Sequence, residues 1–167
     1  TVVLNAGDYE PGGLDELDPG VFARITQVNY LGVVNGLAAC LPLMRARRRR
    51  QVLMTASLSA YRGLHRAAAY GASKAAVLSL AESLRPEAER DGVLLRVINP
   101  GFVQSRLTAK NRFHMPQLMT PEAAAEAIVR DIDGRGFEIF FPKRLGWTLK
   151  LLRVLPYRVY FALTRRM

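Results

Sequence analysis

Short runs of β-branched and aliphatic residues alternate along the chain with longer segments whose apolar positions recur every three or four residues. Val2 to Leu4 reads as a buried strand. Pro19 opens a helix behind Asp18 as N-cap, and Phe22 to Met44 is helical, with apolar residues at 22, 25, 28, 31 and 34. A strand follows at Gln51 to Thr55. Next comes a long helix, Tyr70 to Glu89, rich in alanine and leucine and interrupted late by Pro86. Gly92 ends that helix before the strand Val93 to Asn99, which Pro100-Gly101 closes. After an irregular stretch to Met119, Thr120-Pro121-Glu122 starts a helix running to Ile132, and Phe137 to Phe141 is the last strand. Strands separated by helices of this length predict an α/β fold with a parallel sheet and crossover helices.

Half of the 167 residues are hydrophobic and 23% are charged, which excludes disorder, collagen-like repeats and coiled coil. No repeat, low-complexity segment or linker divides the chain. The reading is one domain over residues 1–142 and a basic, apolar tail over 143–167. The chain opens directly on the β-rich run TVVLNAG, with no initiator Met and no signal-peptide pattern. No run reaches the roughly 18 uninterrupted apolar residues of a membrane span. The nearest, Leu145 to Leu163, is broken by Lys150, Arg153, Pro156 and Arg158.

The net charge is +10, which suits nucleic acid or an anionic membrane surface. The basic cluster from Arg45 to Arg50 closes a helix, where the macrodipole favours cations, and no aromatic residue interleaves with it, so no nucleic-acid partner is expected. Cys40, the single cysteine, reads as a small buried hydrophobe and implies a reducing, cytoplasmic compartment. His65 and His114 have no carboxylate or cysteine at ligand spacing, so no metal site is expected. In the tail, Leu145, Trp147, Leu149, Leu151, Leu152, Val154 and Leu155 precede Pro156, and Tyr157, Val159, Tyr160, Phe161 and Leu163 follow it, with Lys143, Arg144, Lys150, Arg153, Arg158, Arg165 and Arg166 interspersed. That mixture suits a pair of interfacial helices on a membrane surface, and equally a tail packed on its own domain, on a neighbouring subunit, or over a substrate cleft.

Tyr70-Gly71-Ala72-Ser73-Lys74 sets a phenol and an ammonium four residues apart on one face of a helix start. A fixed cation beside a phenol favours phenolate and brings its pKa toward the range useful for acid-base work. Ser57 lies thirteen residues upstream, just past a strand end, and Asn29 lies in the preceding helix. Ser59 reads as a turn residue, and Ser73 has no required role. Asn99-Pro100-Gly101 stands at another strand end, where open parallel sheets gather ligands.

In this order the residues resemble the short-chain dehydrogenase/reductase family over nearly the whole chain up to Phe141. Leu4-Asn5-Ala6-Gly7 resembles the family's Asn-Asn-Ala-Gly motif, with Leu4 in place of the first Asn. Val28-Asn29-Tyr30-Leu31-Gly32 resembles the segment holding the family's catalytic Asn. Ala56-Ser57 resembles the strand-end serine, and Tyr70 with Lys74 resembles Y-x-x-x-K. Pro100-Gly101-Phe102-Val103-Gln104-Ser105 resembles P-G-x-V-x-T, with Ser105 for Thr.

The resemblance implies a Rossmann-like, doubly wound parallel sheet and an oxidoreductase moving hydride between NADP or NAD, NADP slightly preferred, and a carbonyl or alcohol substrate. Ser57 would hydrogen-bond the carbonyl oxygen and Tyr70 would protonate it. Lys74 would lower the phenol pKa and bind the nicotinamide ribose, and Asn29 would hold a water relaying protons to Lys74. Asn5, Ala6, Gly7, Pro100, Gly101, Val103 and Ser105 would line the cofactor, with Asn5 also steadying the sheet. A homo-oligomer through helices 22–44 and 70–89 is implied as well. If the tail meets a membrane, the protein is peripheral to it and the substrate is a lipophilic carbonyl compound. The alternative is a non-catalytic membrane-surface or scaffolding protein that retains the fold.

Neither the family's T-G-x-x-x-G-x-G turn nor its charge-selecting residue after the second strand has a counterpart here, and Gly12-Gly13 neither follows a strand nor opens a helix at the required spacing. The chain is therefore expected to be a piece of a longer reductase that lacks the first βαβ units and is inactive alone. The edge of Val2 to Leu4 would then be unpaired and apolar, and the isolated chain poorly soluble.

Overall fold

A computed structural model describes residues 1–46 and 50–165. Arg47, Arg48 and Arg49 of the basic cluster, and Arg166 of the tail, lie outside the described residues. Four parallel strands, β1 (Val2–Leu4), β2 (Arg50–Thr55), β3 (Val93–Pro100) and β4 (Glu138–Phe141), pair in the order of the chain. Val52 sits opposite Val2 and Leu95, and Ile98 opposite Thr55 and Ile139, so every strand points the same way and all C-terminal ends share one edge.

Successive side chains on a strand face opposite sides of the sheet, and both sides are buried. Val52, Met54, Leu95, Val97 and Phe140 join one apolar cluster, and Leu53, Ile98, Ile139 and Phe141 the other. The first is covered by Val33 and Leu37 of α2 (Gly32–Arg45) and by Val77, Leu78 and Ala81 of α3 (Ala68–Arg90). The second is covered by Ala124, Ala127 and Ile128 of α4 (Pro121–Arg130). This is the α/β, doubly wound arrangement expected from the alternating elements.

Asp18 caps α1 (Pro19–Thr26) by accepting from the Gly20 amide at 2.8 Å, and Thr120 caps α4 by accepting from the Ala123 amide at 3.2 Å. The expected single helix 22–44 instead contains a π-helical turn, Gln27–Leu31, between α1 and α2. In a regular α-helix, steps of four residues drift by about 40° each. The widened turn resets that drift, so that Ile25, Asn29, Val33 and Leu37 all face inward and are buried. By length and composition this run, Pro19–Arg45, is apolar enough to cross a bilayer, with a mean hydropathy of 1.2. It is the more apolar candidate than the segment 145–163 singled out from sequence, yet its inward stripe is packed on the sheet and on α3.

Two further boundaries differ from expectation. Pro86 does not interrupt α3, which runs on to Arg90, because an exposed proline near a helix end costs one hydrogen bond without disturbing packing. Gly92 follows it with φ +69°, a left-handed conformation that glycine adopts without strain. The tail forms α5 (Lys143–Val154) and α6 (Tyr157–Thr164), separated at Pro156, which is half of what its apolar spacing implied. Leu145 and Leu149 of α5 pack on the first cluster, and Tyr160 of α6 is buried.

Arg96, in the middle of β3, is fully buried. Its guanidinium donates to the Gly136 carbonyl at 2.6 Å and to those of Asp131 and Ile132 at 2.9 and 3.0 Å, so it fastens the end of α4 to β4. Arg96→Met is expected to lower stability by about 2 kcal/mol, read by urea denaturation, because buried carbonyls lose their donor. An unchanged midpoint would mean that water replaces the guanidinium.

Candidate active site

The catalytic candidates meet at the C-terminal edge of the sheet. Ser57 follows β2 and is buried, its Oγ accepting from the Ser59 amide at 3.2 Å and lying 3.4 Å from the Pro100 carbonyl oxygen, to which it donates. Ser57 also stands near enough to the Tyr70 hydroxyl to pull its pKa down. Tyr70 stands in the first turn of α3, one helical turn before Lys74, and its ring meets that of Tyr9 edge-on at 5.1 Å. Segment 58–67, including a 3₁₀ turn at Leu58–Ala60, connects the two hydroxyl-bearing residues.

Lys74 is only 2% exposed and donates to the Thr55 carbonyl at 2.8 Å, with its ammonium 5.8 Å from the centre of the Tyr70 ring. Burial pulls its pKa down to about 8. Tyr70 moves the opposite way from the expectation built on the tyrosine-lysine spacing. Burial pushes its phenol up, the hydrogen bond with Ser57 pulls it down, and the nearby Tyr9 pushes it up further. Desolvation outweighs the cation, because the ammonium sits beyond hydrogen-bond reach of the phenol and faces Thr55.

Asn29, fully buried, spends its whole amide on structure. Its Oδ1 accepts from the Asp8 amide at 2.7 Å, and its Nδ2 donates to the Asp8 carbonyl and to Ser73 Oγ, both at 2.9 Å. Ser73 in turn donates to the Tyr70 carbonyl at 2.7 Å. A serine to which the motif assigns no role therefore ties Asn29 to the backbone that carries Tyr70. Its position one residue before Lys74, on the inner side of α3, was the available signal. With its side-chain amide so engaged, Asn29 has only its backbone, in the π-turn, to offer a water relay.

Among the cofactor candidates, Asn5 accepts from Thr55 Oγ1 at 2.9 Å across β1 and β2, and Ala6 and Gly7 are exposed beyond it. A Cβ on Gly7 would lie 3.6 Å from Lys74 Nζ and 3.7 Å from Asn29 Oδ1, so glycine keeps that cradle open. Gly101 donates to the Phe141 carbonyl at 2.7 Å, and a Cβ there would stand 2.9 Å from Pro142. Pro100 and Gly101 thus hold the strand end close to Ser57. Val103 packs into the second cluster. Ser105 is exposed and bonds only within its own turn among the described residues, with Thr108 and Ala109, so no hydrogen bond brings it to the Ser57, Tyr70 and Lys74 group.

The open cradle at Gly7, the buried ammonium beside it and the neighbouring Ser57 and Tyr70 hydroxyls fit the nicotinamide half of a dinucleotide. The phosphate half has no glycine-rich turn in these residues. His65 and His114 are both exposed, and among the described residues no three His, Cys, Asp or Glu side chains gather at metal-binding distance.

Residues 1–115 match the family described as short chain dehydrogenase. Over 166 residues the chain is 39% identical to an uncharacterized oxidoreductase of Myxococcus xanthus, covering 99% of this chain and 66% of that one. It is 33% identical over 107 residues to dehydrogenase/reductase SDR family member 7B of Bos taurus, covering 64% of this chain and 33% of that one. A short chain dehydrogenase from Burkholderia cenocepacia, solved in complex with NADP, superposes with a TM-score of 0.84 at 23% identity, over 97% of this chain and 67% of that one. An alcohol dehydrogenase from Thermococcus sibiricus complexed with 5-hydroxy-NADP gives 0.73 at 26% identity, over 84% and 61%.

The chain belongs to the short-chain dehydrogenase family. It spans about two thirds of the Myxococcus relative and one third of the bovine one.

Proposed function

We propose that this chain carries the catalytic half of an NAD(P)-dependent reductase that interconverts a carbonyl compound and its alcohol. The observation that carries this reading is the gathering of Ser57, at the end of β2, and Tyr70, in the first turn of α3, at the sheet edge, with Lys74 buried one turn along and 5.8 Å from the centre of the Tyr70 ring. When bound, the nicotinamide supplies the hydride. Ser57 is free to donate to a substrate carbonyl oxygen once its long 3.4 Å bond to Pro100 gives way, and Tyr70, kept protonated by burial, delivers a proton to the same oxygen. Lys74 has protons beyond the one given to Thr55 and offers them to the ribose hydroxyls. Relatives solved with NADP, NADPH or NAD support a nicotinamide cofactor, and we favour NADP. The test is nicotinamide absorbance in the full-length gene product with apolar ketones and aldehydes. Turnover is the expected result, and none with either cofactor would overturn the reading in favour of a scaffold.

The tail favours a substrate class. Trp147, Leu151 and Val154 are exposed at spacings of four and three, on one side of α5, and Tyr157 and Phe161 are exposed and stacked on α6. Residues 143–167 contain no acid and seven bases. This chemistry suits an anionic lipid surface and hence a lipophilic substrate, in a protein that we assign to the cytoplasmic face of a membrane. Co-sedimentation with vesicles containing phosphatidylglycerol, lost in Trp147→Ser/Leu151→Ser, is the expected outcome. A concentration-dependent dimer that ignores vesicles would instead assign this face to a second copy.

A further inference from the structure

Three consecutive residues of segment 58–67 are gripped from one direction, by β4 and the tail. Tyr61, buried, donates its hydroxyl to the Glu138 carboxylate, which also accepts from Asn99 and from Lys150 of α5. The Lys150 ammonium lies over the Phe140 ring at 3.8 Å and the Trp147 ring at 5.0 Å, so the ion pair is enclosed by apolar faces. Gly63 accepts from the Tyr160 hydroxyl of α6. Between them, Arg62 Nη1 lies 3.0, 2.8 and 2.7 Å from the carbonyl oxygens of Leu152, Arg153 and Leu155, and its guanidinium carbon lies 4.6 and 4.2 Å from the ring centres of Tyr157 and Tyr160.

A helix ends with carbonyls that lack internal partners and with the negative end of its dipole, so a cation is the group that suits that place. Arg62 fills it at the corner where Pro156 separates α5 from α6, touching both tail helices. The start of segment 58–67 is packed on α3, with Leu58 and Ala60 in the first cluster, and its far end is held by the exposed Arg66 to Glu16 ion pair at 2.9 Å and by the Gly12 amide on the Arg66 carbonyl at 3.1 Å. Exposed pairs contribute little. Over residues 61–67 the tail side dominates.

We infer that Arg62 is a positioning residue: it latches the tail helices to segment 58–67 and thereby holds Ser57 and Tyr70, at the two ends of that segment, in register for a carbonyl substrate. This rests on the reductase reading. Among the described residues the Arg62 guanidinium bonds only to the tail carbonyls and not to Lys74 or residues 100–105, so its effect falls on substrate alignment more than on the cofactor.

The test is steady-state kinetics and cofactor titration of the full-length protein carrying Arg62→Ala, Arg62→Lys or Tyr160→Phe, with Arg158→Ala, an exposed tail cation, as control. Arg62→Ala is expected to lower kcat by ten- to a hundredfold with the nicotinamide dissociation constant unchanged, since a misplacement of about 1 Å has that effect. Arg62→Lys recovers part of the loss by keeping a cation at the end of α5. Tyr160→Phe, which keeps the ring and removes one donor, gives a smaller loss in the same direction, and Arg158→Ala none. Amide exchange across 58–67 rises in parallel. Unchanged kcat in both Arg62→Ala and Tyr160→Phe would overturn the inference, as would losses of kcat and cofactor affinity in equal measure. Absence of turnover in the unsubstituted protein would overturn the reductase reading itself, and the latch's role with it.

Discussion

Tyr70→Phe is expected to lower kcat for carbonyl reduction by about 10³-fold, with stability within about 1 kcal/mol of the parent. The ring stays against Tyr9, and the only polar group lost is the hydroxyl beside Ser57. Burial holds the phenol above its usual pKa, so at neutral pH it is a proton donor already loaded for reduction, and the reverse reaction needs it deprotonated. The parent should therefore favour reduction near neutrality and gain oxidation activity as pH rises, and the variant should lose both. Single-turnover hydride transfer at several pH values measures this. Equal rates in parent and variant would remove Tyr70 from the chemistry and leave the fold as the only thing inherited.

The four strands and their parallel direction were legible because each is a short, largely apolar run separated from the next by a helix-length segment, and β2, β3 and β4 are buried on both faces. Tyr70, Lys74 and Ser57 were legible through their order, since a motif on a helix start and a hydroxyl at a strand end survive being read one residue at a time. What escaped depends on partners distant in the chain. Nothing local announces that Asn29 pairs with the Asp8 backbone 21 residues away, or that Ser73 joins Asn29 to Tyr70 across 44. The direction of the Tyr70 shift escaped for the same reason. Spacing places Lys74 near the phenol, but only packing turns its ammonium to Thr55, buries it and desolvates the phenol of the half-buried Tyr70. Pro86 and the π-turn at Asn29 were misread because helix rules weigh single residues, whereas here the buried stripe of the neighbouring turns decides.

Lys74→Met is expected to abolish turnover by at least about 10²-fold and at the same time to stabilise the fold by about 1–2 kcal/mol at pH 7. The ammonium is buried with one hydrogen bond, to a neutral carbonyl, and its pKa falls from the usual 10.5 to about 8. Between those values the unfolded chain binds a proton that the native chain does not, so stability rises with pH across that window. The cost of burying the charge is fully present below pH 8, amounts to about 3 kcal/mol, and is relieved as pH approaches 10.5. Methionine fills the same space without charge and forfeits only the bond to Thr55, worth about 1 kcal/mol, which leaves the stated gain. Urea denaturation of parent and variant at pH 7 and pH 9.5 reads the sign directly: the variant should be the more stable at pH 7, with the difference shrinking at pH 9.5. A parent that is more stable at both values would mean that the ammonium has a second partner, and that Lys74 is held in place by attraction and not by the packing of α3 on β2.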